Sequence, residues 1–198
     1  MLLLFLAVLA GYLFGSISVA VLLTRRYALG DVRGHGSGNA GATNVARVYG
    51  LKAGLITLAG DMAKTAVSAL IGWLLGGADG MAAGCAGCLI GHCWPVWFRF
   101  RGGKGVSVSA CIALVLDWRV FLIIAAVFAA AAVLSRRVSV GSMAAALVCP
   151  WSRLLLAGGV DAVFWVCALM AAVVLALHGS NLRRLLRGEE PPFRAGGQ

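Results

Sequence analysis

Seven long apolar runs leave this chain few structures to adopt. They are Leu2–Leu23, Ala53–Leu75, Met81–Phe98, Val106–Leu116, Arg119–Leu134, Val140–Ala157 and Val160–Leu177. In hydrocarbon every backbone N–H and C=O must be satisfied inside the protein, so only helices and closed barrels cross a membrane. A helical span needs roughly 20 apolar residues, with a range of about 17–25, and the runs are read as such helices. Charged residues make up 12% of the chain, against about 25% in a soluble domain. These features predict an all-α polytopic integral membrane protein with about seven transmembrane helices, forming a single domain over 1–198. The many small residues, 27 of them Gly, suit closely packed membrane helices.

The connectors between the runs alternate in character. Fourteen of the 17 Lys and Arg residues fall in four stretches, Thr24–Lys52, Arg99–Gly105, Ser135–Ser139 and His178–Gln198. The other three connectors are short, and Asp79, Asp117 and Asp161 lie in or beside them. Seven crossings with the N-terminus outside put all four basic stretches, and the C-terminus, in the cytoplasm, as the positive-inside rule requires. The first run has no basic segment ahead of it, so it reads as a retained helix rather than a signal peptide. The fourth run is the short one. Its eleven residues make about 16 Å of helix against a hydrocarbon core of about 30 Å. If it failed to cross, Arg183, Arg184 and Arg187 would end up outside, against the charge rule. A short helix in a thin or protein-lined region is the preferred reading. The net charge of +10 is accounted for by this bias together with an anionic substrate, and no aromatic-interleaved basic run suggests nucleic acid. Cys85-x-x-Cys88 has redox or zinc spacing, but no second pair completes a four-ligand site, so these read as small packing residues. Pro191, Pro192, Gly196 and Gly197 predict a loose tail over 191–198.

Three of the basic stretches carry chemistry. The first has five Gly between Gly30 and Gly41. Glycine permits the backbone turns that gather N–H groups into a phosphate-binding nest. Gly36 and Gly38 are its candidates, with Ser37, Asn39, Thr43 and Asn44 as neutral donors and Arg47 as a planar fork for a phosphate. The second stretch brackets Lys104 with Gly102, Gly103 and Gly105 at the start of an apolar helix, a place where orphan amides, dipole and ammonium all favour an anion. It lacks the full spacing of a nucleotide P-loop. The third places His178 at the end of the last run and Asn181 one helical turn on. Inside the second run, Asp61 and Lys64 stand three apart, the spacing of a helical ion pair. Ionisable groups at such depth face protein or a cavity, so the pair reads either as structural pairing or as support for the site.

Four strings together, GSIS at Gly15–Ser18, HGSGNAGATNVARVYG at His35–Gly50, GHCWPVWFRFRGGKGV at Gly91–Val106 and HGSNLRRLLRGEE at His178–Glu190, resemble the bacterial acyl-phosphate:glycerol-3-phosphate acyltransferase family, PlsY. The resemblance covers essentially the whole chain. It implies an enzyme of the bacterial inner membrane with its active site on the cytoplasmic face. It also implies transfer of an acyl group from acyl phosphate to the 1-hydroxyl of glycerol 3-phosphate, giving lysophosphatidate and inorganic phosphate, the first acylation of phospholipid synthesis. By the same resemblance Ser37, Arg47, Lys104, His178 and Asn181 are catalytic and Gly102–Gly105 form the phosphate loop. Glu190 is structural. Ser18 stands where the family usually has Pro, Thr65 where it commonly has Gly, and Gly179-Ser180 replaces a more polar pair.

Acyl phosphate is a mixed anhydride, so direct transfer is expected rather than an acyl-enzyme at Ser37, with His178 or the donor phosphate as base. No metal cluster or nucleotide fingerprint appears, so no cofactor is expected. The expected partners are the two substrates and membrane lipid, and the sequence leaves the oligomeric state open, a monomer included. None of the three His is followed by Asp five residues on, unlike acyltransferases that use that pair. A transporter of organic phosphates would place its site near the midplane, and a lipid-binding scaffold would leave the two glycine-rich stretches unexplained.

Overall fold

The computed structural model describes residues 1–27 and 30–193, and every regular element in them is helical. The tail from Arg194 onward lies outside the described residues. Four helical stretches are long and apolar enough to cross a membrane: Leu2–Arg26, Leu51–Phe98, Trp118–Ser135 and Val138–Ala157. A fifth is reached if Ala162–Leu177 and Gly179–Leu186, bent by 53°, count as one. The described residues fall into two compact units, Met1–Ile112 and 113–193.

In the first unit the run read as Leu2–Leu23 is interrupted. Helix α1 (Leu2–Gly15) stops, and α2 (Val19–Arg26) starts after Ser16–Ser18. A helix break frees carbonyls that lipid cannot satisfy. Here the Lys64 ammonium caps them, donating to Gly15 O at 2.9 Å and Ile17 O at 2.8 Å. The stretch after α2 also holds a helix, α3 (Ala42–Tyr49).

Helix α4 (Leu51–Cys93) folds back on itself at Gly76 and Gly77, where φ is −154° and +59°. The expected connector Gly76–Gly80 is thereby shortened to two residues. A straight helix would hold Lys64 and His92 about 42 Å apart, yet Lys64 Nζ lies 3.0 Å from His92 Nδ1. The two arms meet backbone to backbone. A Cβ on Gly72 would come within 2.2 Å of Gly80 O, and one on Gly84 within 2.6 Å of Ser68 O. Helix α1 packs on the second arm in the same way, with Gly87 against Val8 O and Gly91 against Tyr12 O. Small residues allow this approach, and approach is what holds membrane helices together. As a result α2, the stretch after it, α3 and the Cys93–Gly105 turn all gather at one end of the unit. Helix α5 (Val106–Leu116) starts from that end and keeps its predicted eleven residues.

In the second unit α6 (Trp118–Ser135), α7 (Val138–Ala157) and α8 (Ala162–Leu177) run antiparallel, followed by the short α9 (Gly179–Leu186). Asp117 and Asp161 cap the N-termini of α6 and α8 by accepting from Arg119 N and Phe164 N. Arg153 of α7 joins both carboxylates, at 2.6 Å to Asp117 and in a short pair with Asp161. This closes the end of the unit opposite His178.

Gly87→Val forces a branched side chain into Val8 O and should lower stability by about 1–3 kcal/mol. Gly159→Ala, with nothing within 4 Å of the added carbon, should be nearly silent. Thermal unfolding in detergent checks both, and equal midpoints for the two variants would contradict the packing described.

Candidate functional site

The first glycine-rich stretch is an ordered loop. Val32, Ala40 and Val45 join Ala20 and Val21 in a small buried cluster, with Tyr49 and Phe98 packed against it. Above it, one side chain sets the loop's shape. Asn44 is 1% exposed. Its Oδ1 accepts from Ser37 N at 2.9 Å. Its two amide protons are shared among Val32 O, His35 O and Asn39 O at 3.3, 3.0 and 3.0 Å. Gly36, at φ +57°, passes so close that a Cβ would lie 2.4 Å from Asn44 Oδ1. Asn44, read from sequence as a substrate donor, uses its side chain on the loop itself. Ser37 is exposed above it, and Asn39 and Thr43 are half-buried. Arg47 is half-buried in the last turn of α3 and makes no ion pair with any described residue.

The second stretch is seated on the end of α4. Gly102 N donates to Cys93 O and Gly103 N to His92 O, both at 3.1 Å. A Cβ on Gly102 would come within 2.0 Å of His92 O, and one on Gly103 within 2.2 Å of His92 Nε2 and 3.1 Å of Ala40 O. Packing therefore dictates glycine at both positions and brings the loop against the first one. The amides with no acceptor inside a helix begin at the first turn of α5, after the half-buried Lys104 and the buried Gly105.

Beneath this loop lies a buried polar cluster. Lys64 pairs with Asp61 at 3.3 Å, and Asp61 accepts from Ser107 Oγ at 2.8 Å. His92 Nδ1 sits 3.0 Å from the Lys64 ammonium and 3.5 Å from Asp61. An ammonium only donates, so Nδ1 accepts from the nearer partner and the ring N–H lies at Nε2, beside Gly103. The cluster thus links the α1–α2 break, both arms of α4 and the first turn of α5. Asp61 and Lys64 were visible in the sequence. His92 and Ser107 were not singled out, although a His inside an apolar run was the available signal.

The loops are also tied from the side. Asp31 accepts from Arg33 Nε at 3.0 Å and Nη2 at 2.8 Å, and from Arg25 at 2.9 Å. The Arg33 guanidinium holds the Asp31 carboxyl well below the usual carboxylate range. Arg33 Nη1 donates to Phe98 O at 2.8 Å and Arg101 O at 3.0 Å. Between those carbonyls Arg99 and Phe100 both adopt left-handed backbone, at φ +59° and +57°. Such a conformation costs about 1–3 kcal/mol per non-glycine residue and persists only where the surroundings impose it.

In the second unit Glu190 is the organiser. Its Oε1 accepts from Ser139 at 2.7 Å and Asn181 at 2.6 Å, and its Oε2 accepts from Arg184 Nε at 2.7 Å. Arg137 Nε donates to the Glu190 carbonyl at 2.8 Å. Burial alone would raise this carboxyl, but the hydrogen bonds from Ser139, Asn181 and Arg184 outweigh it and hold it below its ordinary range. His178 is 4% exposed, with Nδ1 2.7 Å from Val174 O. A carbonyl only accepts, so Nδ1 carries a proton.

With this geometry in place, comparison with known proteins decides the family. A model of the family described as glycerol-3-phosphate acyltransferase matches residues 5–188. The chain belongs to the glycerol-3-phosphate acyltransferase family. The family member of Maricaulis maris is 43% identical over 95% of this chain and 85% of its own length. That of Syntrophotalea carbinolica is 42% identical over 96% and 98%. A crystal structure of PlsY (YgiH), an integral membrane glycerol 3-phosphate acyltransferase, in its glycerol 3-phosphate form, superposes with a TM-score of 0.89 at 31% identity, covering 96% of each chain. Its lysophosphatidic acid form gives 0.85 at 30%, over 96% and 95%. This family member is accordingly an integral membrane acyltransferase of phospholipid synthesis.

Lys64→Met leaves Asp61 as an uncompensated buried charge and should cost about 3–5 kcal/mol, read as a lower unfolding midpoint in detergent. An unchanged midpoint would contradict the cluster. A carboxylate held low in the folded state stabilises above its unfolded value and stops doing so as pH falls through the folded one. The wild type should therefore lose thermal stability as pH falls below the ordinary glutamate value of 4.5. Glu190→Gln should start lower at pH 7 and show a flatter decline.

Proposed function

We propose that this chain transfers an acyl group from acyl phosphate to the 1-hydroxyl of glycerol 3-phosphate. The products are lysophosphatidate and inorganic phosphate. We further propose that it works at the cytoplasmic face of the bacterial inner membrane, crossing seven times with the N-terminus outside. Family membership supports the acceptor. The observation that carries the site is the seating of Gly102 and Gly103 on the buried end of α4, with Gly103, the residue before Lys104, packed against Ala40 O of the first loop. Two anionic substrates need two such cationic, amide-rich places, and Arg47 with the first loop supplies the other.

In the proposed step the acceptor hydroxyl oxygen attacks the acyl carbon. An ester C–O bond forms, the anhydride C–O bond breaks, and phosphate leaves with the bonding pair. Cationic groups stabilise the charge that grows on the leaving phosphate and the carbonyl oxygen. Because the donor is already activated, no acyl-Ser37 intermediate is required. The hydroxyl proton goes either to His178, whose ring is oriented by the Nδ1 contact with Val174 O, or to the departing phosphate. Asn181 is proposed as a substrate donor oriented by Glu190. The roles of both second-unit residues rest on the sequence pattern. Gly105 and the small donors Asn39 and Thr43 complete the anion contacts, and no cofactor takes part.

Purified protein given palmitoyl phosphate should release phosphate only when glycerol 3-phosphate is present, with lysophosphatidate in equal amount. Lys104→Ala should lower turnover by about 100-fold or more, the scale for losing one preorganised charge contact, while remaining folded. Phosphate release without the acceptor would replace direct transfer by an acyl-enzyme. No release from folded protein would remove the acyltransferase reading.

A further inference from the structure

Arg33 lies outside every residue assigned above to substrate, yet its side chain bridges the two glycine-rich loops. Asp31 holds two of its nitrogens, Nε and Nη2, at 3.0 and 2.8 Å. That leaves Nη1 aimed at Phe98 O and Arg101 O, at 2.8 and 3.0 Å. These carbonyls bracket Arg99 and Phe100, the two consecutive non-glycine residues with left-handed backbone. The turn is otherwise held by backbone bonds from Phe98 N and Phe100 N to Pro95 O and from Arg101 N to Phe98 O. Gly102 follows directly. A relaxed Arg99 or Phe100 would swing the chain that feeds Gly102–Gly105 and shift the start of α5.

We propose that Arg33 is a positioning residue, which holds the left-handed turn at Arg99–Phe100 by clamping the Phe98 and Arg101 carbonyls and thereby fixes the Gly102–Gly105 loop for phosphate. The inference rests on the reading that this loop holds a substrate phosphate. Its geometry requires a planar fork with one nitrogen spare. Lysine's three donors share one nitrogen, so it lacks the separate nitrogens with which the planar fork holds Asp31 through Nε and Nη2 and the two carbonyls through Nη1.

The test separates positioning from general folding by easing the strain the clamp holds at one of the two left-handed residues. Arg99 is exposed, and Arg99→Gly lets the backbone adopt its conformation without a Cβ penalty. In the palmitoyl phosphate assay Arg33→Ala and Arg33→Lys should each lower kcat/KM by about tenfold or more. Arg99→Gly alone should stay within about threefold of wild type, and Arg33→Ala with Arg99→Gly should recover most of the loss. Amide hydrogen exchange gives a readout that does not depend on turnover. Exchange at 99–105 should quicken in Arg33→Ala, return toward wild type in the double variant, and stay unchanged in α6–α8. Normal kinetics and exchange in Arg33→Ala would overturn the proposal, as would a double variant no better than Arg33→Ala. If the wild type transfers no acyl group, the functional reading fails, and the exchange arm still decides whether Arg33 holds the turn.

Discussion

A single ammonium, buried 6% exposed inside the membrane-spanning part of the first unit, is the point on which the rest of that unit depends. Lys64 meets two carbonyls of a broken helix, a carboxylate and an imidazole nitrogen. Each partner is costly to bury alone and acceptable only because the others are present. Without the Lys64 charge, the carbonyls at Gly15 and Ile17 would have no donor and the break after α1 would be unfavourable. That break is what allows α2 to turn toward the first loop. His92, held from the other side, forms the surface on which Gly102 and Gly103 rest. One charge thus determines both where the first helix ends and where the second glycine loop begins.

The two loops are built by different means. The first is organised by a neutral amide side chain over a small apolar cluster, the second by backbone bonds to the end of a helix. Arg33 joins them using a carboxylate that belongs to the first and carbonyls that belong to the second. The candidate donor groups are therefore carried on supports tied by hydrogen bonds, which lowers the ordering left to be done when an anion arrives.

Much of this could be read from residues. Apolar runs, basic connectors and glycine placement gave the helical membrane class and the stretches that hold the loops, and the i, i+3 spacing pointed to Asp61 with Lys64. What could not be read depends on partners far apart in the chain. The break at Ser16–Ser18 lies inside an unbroken apolar run and is stabilised by a lysine 47 to 49 residues away. His92 looks like one more residue of a motif until the fold-back at Gly76 and Gly77 brings it to Lys64. The left-handed Arg99 and Phe100 have no local signature, because neither residue type favours that conformation. Asn44 shows the converse. Its type was read as a donor to substrate, whereas its burial makes it a donor to its own loop.

That last arrangement has a chemical consequence. Two amide protons of one side chain answer three carbonyl oxygens, so the loop's shape depends on Asn44 remaining an amide. Hydrolysis to aspartate would put a carboxylate, which only accepts, against the same three oxygens. The bonds that fold the loop would become repulsions. The first loop's shape thus rests on the chemical identity of one amide group, not only on the glycines that line it.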